Sequence, residues 1–220
     1  MERFYPIFLR IKDKLCVVVG GGNVAERKVM TLLEDGAKVK VISPDITKTL
    51  SALAEAGEVE WKPRYYEVGD LLGAFLVYAA TNSQEVNQQV YTDAQKHSIL
   101  VNTIDNQELC DFIVPSRIDK GKLQICISTS GASPALAKQI REELEEHFCD
   151  EYQMFLDWMQ QLREWLLKNE PDEQTRRQIF KQAVQSPILE LLREQRIEEA
   201  RAIIHSYTKE LILTDQCGCN

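Results

Sequence analysis

Gly20, Gly22 and Ala25 are the first residues whose types and spacing could do chemistry. They form a G-x-G-x-x-A pattern directly behind the apolar run Leu15-Cys-Val-Val-Val19, and the helix-compatible stretch Asn23-Val-Ala-Glu-Arg-Lys28 follows at once. Strand, glycine turn and helix start, in that order, suit a dinucleotide pyrophosphate seated on helix amide groups. Gly20 permits the tight turn, Gly22 lets the backbone approach phosphate, and Ala25 lets the helix lie against the strand. The ends of later predicted strands add Ser43-Pro44-Asp45, Thr81-Asn82 and Asn102-Thr-Ile-Asp105 to the same edge. Ser43 stands where an acid commonly binds the adenine ribose, and either Ser43 or Asp45 could reach it. The missing acid weakens the ribose signature of NAD. The lack of an arginine directly after that strand speaks against a 2′-phosphate, and Lys48 is the nearest cation.

Two further constellations have two readings each. Asp105 lies just past the fifth strand, where a carboxylate could accept a proton while a hydride leaves for a cofactor. It could equally cap the turn Asp105-Asn106. Residues 115–141 carry Arg117, Lys120, Lys122, Lys138 and Arg141 against the single acid Asp119, in a chain of net charge −8. With Ser128, Ser130 and Ser133 ahead of a helix start, this run suits a ligand bearing several carboxylates; a solvated hairpin and a capped helix would look the same. No metal site is expected. His97, His147 and His205 lie far apart, with no H-E-x-x-H spacing. His147 reads as a partner of a helix C-terminus. Cys16, Cys110, Cys126 and Cys149 read as plain thiols, and Cys217-Gly-Cys219 as a frayed tail without the second pair that zinc requires.

The elements that must position these residues alternate strand and helix. Strands are predicted near residues 15–19, 37–42, 58–61, 75–80 and 98–101, with helices near 23–35, 45–56 and 83–97, which implies a parallel, doubly wound α/β sheet of Rossmann type. Residues 4–11 form an apolar lead-in expected to pack beside it. The pattern then changes. Residues 111–118 and 122–128 flank Asp119-Lys-Gly121 as a β-hairpin, Ser133-Pro134 opens a helix reaching about His147, and everything from Asp150 onward is helical. Three segments follow: 1–112, a dinucleotide-binding domain; 113–148, a hairpin-helix segment too small to stand alone and expected to pair with a second copy as a homodimer; and 149–220, an all-helical domain. Trp158 and Trp165 are seven apart, on one helix face.

Bulk composition narrows the classes. A hydrophobic share of 44% with 27% charged residues reads as globular. The net charge of −8 argues against a nucleic-acid partner. No apolar run approaches membrane-spanning length, and the start lacks a signal-peptide core, so a cytoplasmic protein without a membrane partner is the default expectation.

Taken in order, Gly20-Gly-Gly-Asn-Val-Ala-Glu-Arg-Lys28, Ala79-Ala-Thr-Asn82, Asn102-Thr-Ile-Asp105, Phe112-Ile-Val-Pro115 and Ile127-Ser-Thr-Ser-Gly-Ala-Ser-Pro-Ala-Leu-Ala137 resemble the sirohaem synthase family. The resemblance covers residues 5–148 and extends to the later helices only in general character. It implies oxidation of precorrin-2 to sirohydrochlorin with NAD as hydride acceptor. In bifunctional members insertion of ferrous ion follows, and cobaltous ion is a further candidate substrate. It implies a catalytic role for Asp105, NAD contacts at Asn23, Val24, Pro44 and Asp45, and dimerisation through the central segment. Where the bacterial fusion form has Ser-Ser-Gly-Gly, this chain has Ser128-Thr-Ser-Gly131, so a regulatory role of serine there does not carry over. Precorrin-2 carries eight carboxylates, and residues 115–141 would supply the local positive field that a net-negative enzyme needs to collect it. The rival reading is a non-catalytic NAD(H)-sensing module that signals through its charged helical tail.

Overall fold

The computed structural model describes residues 4–208. Cys217 and Cys219 lie outside them. Apolar residues form the inner strands of a five-stranded parallel sheet, with β1 and β4 buried on both faces. The strands are β1 (Leu15–Val19), β2 (Lys38–Ile42), β3 (Val59–Lys62), β4 (Leu76–Ala79) and β5 (Leu100–Thr103), in the order β3-β2-β1-β4-β5. Helices α1 (Asn23–Glu34), α2 (Lys48–Glu55) and α3 (Gln84–Lys96) connect them. α1 packs on one face, where Val18, Ala25, Val29, Val41 and Tyr78 form a core, and α3 on the other with Val17, Val19, Val77, Val90 and Val101. In register, Val19 pairs with both Ile42 and Ala79, and Ala79 with Thr103, so the carboxyl ends of β2, β1, β4 and β5 lie level. Helix and strand do not alternate throughout, because β3 and β4 are joined by turns rather than a helix.

Three expectations need correction. The lead-in does not pack beside the sheet: Tyr5, Ile7, Phe8 and Leu9 are exposed, and burial begins at Ile11. β5 starts two residues later than expected, because Ser98 adopts a positive φ of 54° and spends that segment turning out of α3. The hairpin's first strand begins at Ser116, not Asp111. The Asp111 carboxylate instead accepts from Val101 N (3.0 Å) and Gln95 Nε2 (2.9 Å), which ties this stretch to β5.

The chain divides into two compact units, up to Val114 and from Pro115. The second holds the antiparallel hairpin β6 (Ser116–Lys120) and β7 (Leu123–Ile127), then α4 (Pro134–Glu145), α5 (Glu151–Asn169), α6 (Glu173–Gln185), α7 (Ile188–Arg193) and α8 (Ile197–Thr208). Hairpin and terminal helices share this unit because α5 packs on β7, with Lys122 paired to Asp157 and Lys120 to Asp150 (2.8 Å). The unit's helical core includes Trp158, Leu162, Leu166, Ile188 and Ile204, with Trp165 packed against it. Among the described residues no helix is long and apolar enough to cross a membrane.

Candidate functional site

The level strand ends make a row of turns, and the glycine turn after β1 sits in the middle of it. Gly20 has φ +123°, and a Cβ there would stand 2.2 Å from the Ala80 carbonyl oxygen beyond β4. Gly21 is packed as tightly: its Cβ would meet Asp45 O at 2.0 Å, and its own carbonyl accepts from Thr47 N. The G-x-G-x-x-A pattern leaves Gly21 unassigned, yet close approach of the β2 loop makes a side chain there impossible without rearrangement. Gly22 is the opposite case. Nothing lies within 4 Å of where its Cβ would be. It is the N-cap of α1 and supplies no side-chain cap, whereas Thr47, Ser83 and Ser133 cap α2, α3 and α4 with their hydroxyl oxygens. The first amides of α1 thus combine free donors, the helix dipole and open space, the requirements of a pyrophosphate seat. Asn23 and Val24 lie in that first turn, and Ala25 is fully buried against the sheet.

A cleft of about 540 Å³ opens along this edge, lined by residues 19–22, 42–47, 65–66, 80–83 and Val86. It brings together Gly20, Gly22, Ser43, Pro44, Asp45, Thr81 and Asn82, while Asn23 and Val24 do not line it. Among the described residues Asp45 is the only ionic side chain in the lining. The Ser43 hydroxyl donates to the Asp45 carbonyl (2.7 Å), and the Ser43 carbonyl accepts from Trp61 Nε1 (2.9 Å). Ser43 therefore shapes the loop, and the Asp45 carboxylate beside it is exposed. Thr81 is likewise committed: its hydroxyl donates to Asn87 Oδ1 (2.8 Å) and its carbonyl accepts from Asn87 Nδ2 (3.0 Å). Asn87, a buried polar residue that sequence reasoning missed, clamps the turn after β4. Its signal is visible only afterwards, as a polar residue on the inward face of α3.

Asp105 stands past the end of β5 with φ 58° and an exposed side chain, outside the lining of the cleft. Asn106, not Asp105, caps the following turn, its Oδ1 accepting from Glu108 N (3.1 Å). Among the described residues no hydrogen bond or ion pair engages the Asp105 carboxylate. Cys110 closes the loop behind it, its Sγ within hydrogen-bond reach of the Thr103 and Asn106 carbonyls (3.3 and 3.2 Å), and burial raises its thiol pKa.

The basic run is ion-paired. Besides Lys120 and Lys122, Lys138 meets Glu142 (3.6 Å) and Arg141 meets Glu145 (2.5 Å), while Arg117 lies half-buried on β6. Ser128 Oγ accepts from Ser130 N, Ser133 caps α4, and Ser130 adopts a positive φ of 53°. A larger cavity, about 870 Å³, lies in the second unit beside His147, Tyr152 and Arg193, but none of the sequence-predicted site residues lines it. His147 Nδ1 meets the Glu143 carbonyl at 3.0 Å, at the end of α4. Among the described residues no group of three or more His, Cys, Asp or Glu could hold a metal ion.

The fold and edge chemistry define a Rossmann-type dinucleotide-binding unit followed by a hairpin-helix unit. Residues 7–116 match the family described as putative NAD(P)-binding, and residues 120–147 match the sirohaem biosynthesis protein central family. The chain belongs to the sirohaem synthase family. It is 37% identical over 215 residues to the siroheme synthase of Thioalkalivibrio sulfidiphilus, covering 98% of this chain and 44% of that protein. It is 44% identical over 142 residues to the siroheme synthase of Photorhabdus laumondii, covering 64% of this chain and 30% of that one. The chain thus spans less than half the length of these curated relatives. Its fold matches a solved structure titled SirC, precorrin-2 dehydrogenase, with TM-score 0.79 and 24% identity over 94% of this chain and 100% of that one.

Proposed function

We propose that this chain oxidises precorrin-2 to sirohydrochlorin, with NAD as the hydride acceptor. The observation that carries the reading is the pairing, on one sheet edge, of an uncapped α1 N-terminus at an open Gly22 with an unengaged carboxylate, Asp105, past β5. When bound, the nicotinamide takes up two electrons and one proton as hydride, and a second proton leaves the substrate. The α1 amides hold the pyrophosphate, and the Gly20–Gly22 turn keeps side chains out of its way. Asp45 accepts from the adenine ribose. As the sole charge in the cleft lining it repels a 2′-phosphate, which favours NAD over NADP. Asp105 accepts or orients the departing proton, and its freedom from structural bonds leaves it available for that.

Arg117, Lys120, Lys122, Ser128, Ser130, Ser133 and Lys138 are proposed to hold the substrate's carboxylates. Exposed ion pairs are worth little, so a polycarboxylate can replace Asp150, Asp157 or Glu142 at small cost. The hairpin-helix segment is proposed to form a homodimer, and the protein to work in the cytoplasm. A sensing module would have no use for an unengaged carboxylate at Asp105. The test is an anaerobic assay with precorrin-2 and NAD followed by absorbance, then repeated with ferrous and with cobaltous ion. NADH and free sirohydrochlorin support a dehydrogenase, metallated product adds chelation, and no NADH overturns the reading.

A further inference from the structure

The candidate cleft has an aromatic wall that the glycine turn does not account for. The connection from β3 to β4 puts Tyr65 and Tyr66 into the cleft lining, and Tyr65 keeps 76% of its surface exposed. An exposed aromatic ring on a mobile loop would carry little meaning, but this loop is strapped down. The Arg64 guanidinium grips Asp70 with two bonds (2.8 and 2.7 Å) and also donates to the Tyr65 carbonyl (2.9 Å). Asp70 accepts in turn from Glu67 N (2.9 Å). On the other side Asp93 of α3, 1% exposed, accepts from the Tyr66 hydroxyl (2.5 Å) and from Gly69 N (2.9 Å). These bonds anchor the loop backbone on both sides of Tyr65, so its exposed ring is presented at the cleft edge, where an aromatic face offers stacking area to a base.

Strand order says which half of a dinucleotide would meet it. β1 and its glycine turn are central, Asp105 follows β5 on one side, and Tyr65 follows β3 on the other. If the reacting half lies toward Asp105, the adenosine half lies over the β2 and β3 ends. We infer that the Tyr65 ring is the stacking face for the adenine of the bound dinucleotide, with Asp93 as the positioning residue that holds the loop through Tyr66 and Gly69. This rests on the dinucleotide reading above.

The test is calorimetric titration of the full chain with ADP-ribose and, separately, with nicotinamide mononucleotide. Tyr65→Ala is expected to weaken ADP-ribose binding about fivefold or more, the low end of base-aromatic stacking, and to leave the mononucleotide and the thermal midpoint unchanged. Tyr65→Trp is expected to restore affinity. Tyr66→Phe, which keeps the ring but drops the bond to Asp93, is expected to weaken ADP-ribose selectively as well. Wild-type ADP-ribose affinity in Tyr65→Ala overturns the inference alone, as does equal loss of both ligands. Failure of the wild-type chain to bind ADP-ribose overturns the dinucleotide reading and the inference with it.

Discussion

Asp105 and Asp93 are carboxylates with opposite surroundings, and the contrast sorts their roles. Asp105 is exposed and unengaged among the described residues, so its removal should cost no packing. Asp105→Asn is expected to cut NADH formation by about 10²–10⁴-fold, the usual worth of a general base, while NAD affinity in calorimetry stays at the wild-type value. Full retained activity would sink the assignment. Asp93 is a structural anchor. Burial works against its charge, but the Gly69 amide, the Tyr66 hydroxyl and His97 outweigh it and hold its pKa below the usual carboxylate range. A depressed folded-state pKa contributes stability that is present above the unfolded value, about pH 4, and lost as pH falls through the folded one. Asp93→Asn should therefore flatten the acid limb of the stability curve below that pH, measured by denaturant melts from pH 6 to 2. Asn87 matters for another reason. Replacing it with Ala leaves the Thr81 groups without their buried partner, and a loss of about 1–3 kcal/mol in urea unfolding is expected.

The glycine turn and its helix behave as one element, and the two later glycines separate geometry from ligand. Gly21→Ala would drive a Cβ into the Asp45 carbonyl, so both the β2 loop and NAD affinity should suffer. Gly22→Ala meets empty space at an ordinary φ of −82°, so the fold should survive with a loss of about 1 kcal/mol, because alanine is a poorer N-cap than glycine, while the methyl intrudes where phosphate would sit. Thermal melts and NAD titrations on the two variants distinguish these outcomes. If Gly22→Ala binds NAD like wild type, the pyrophosphate does not lie on this helix start.

At the scale of the molecule, each unit has its own apolar core and should answer separately to perturbation. Leu162 is fully buried in the helical core, and Leu162→Ala is expected to cost the second unit about 2–5 kcal/mol. NAD at about a hundred times its dissociation constant should stabilise the first unit by about 2.7 kcal/mol. Calorimetric scans of wild type and variant, with and without NAD, would show the two shifts on different transitions; a single transition moved by both would show the units to be thermodynamically coupled. The paired cations of the second unit suggest a salt test as well. Raising ionic strength should weaken binding of a polycarboxylate far more than binding of NAD.

Much of the first unit was legible locally. The run Leu15–Val19, the glycines behind it and the small Ala25 are neighbours in the chain, so strand, turn and helix start can be read from adjacent residues. The register that levels the strand ends follows from the same patterning, because a slipped parallel strand would carry its buried run out of line with its neighbours. What adjacency cannot show is who approaches whom. Gly21 is obligatory because Asp45 comes within reach, Ser43 is spent on its own loop, Asn106 relieves Asp105 of the capping role, and the run of cations is matched by acids from α4 and α5. Tyr65 likewise becomes part of the site only when its loop is strapped to Asp70 and Asp93. The sequence by itself determined the strands, the helices and the glycine turn, because those depend on local conformation and burial pattern. The tertiary structure decided which polar groups were already satisfied and which remained free, because long-range packing sets hydrogen-bond partners.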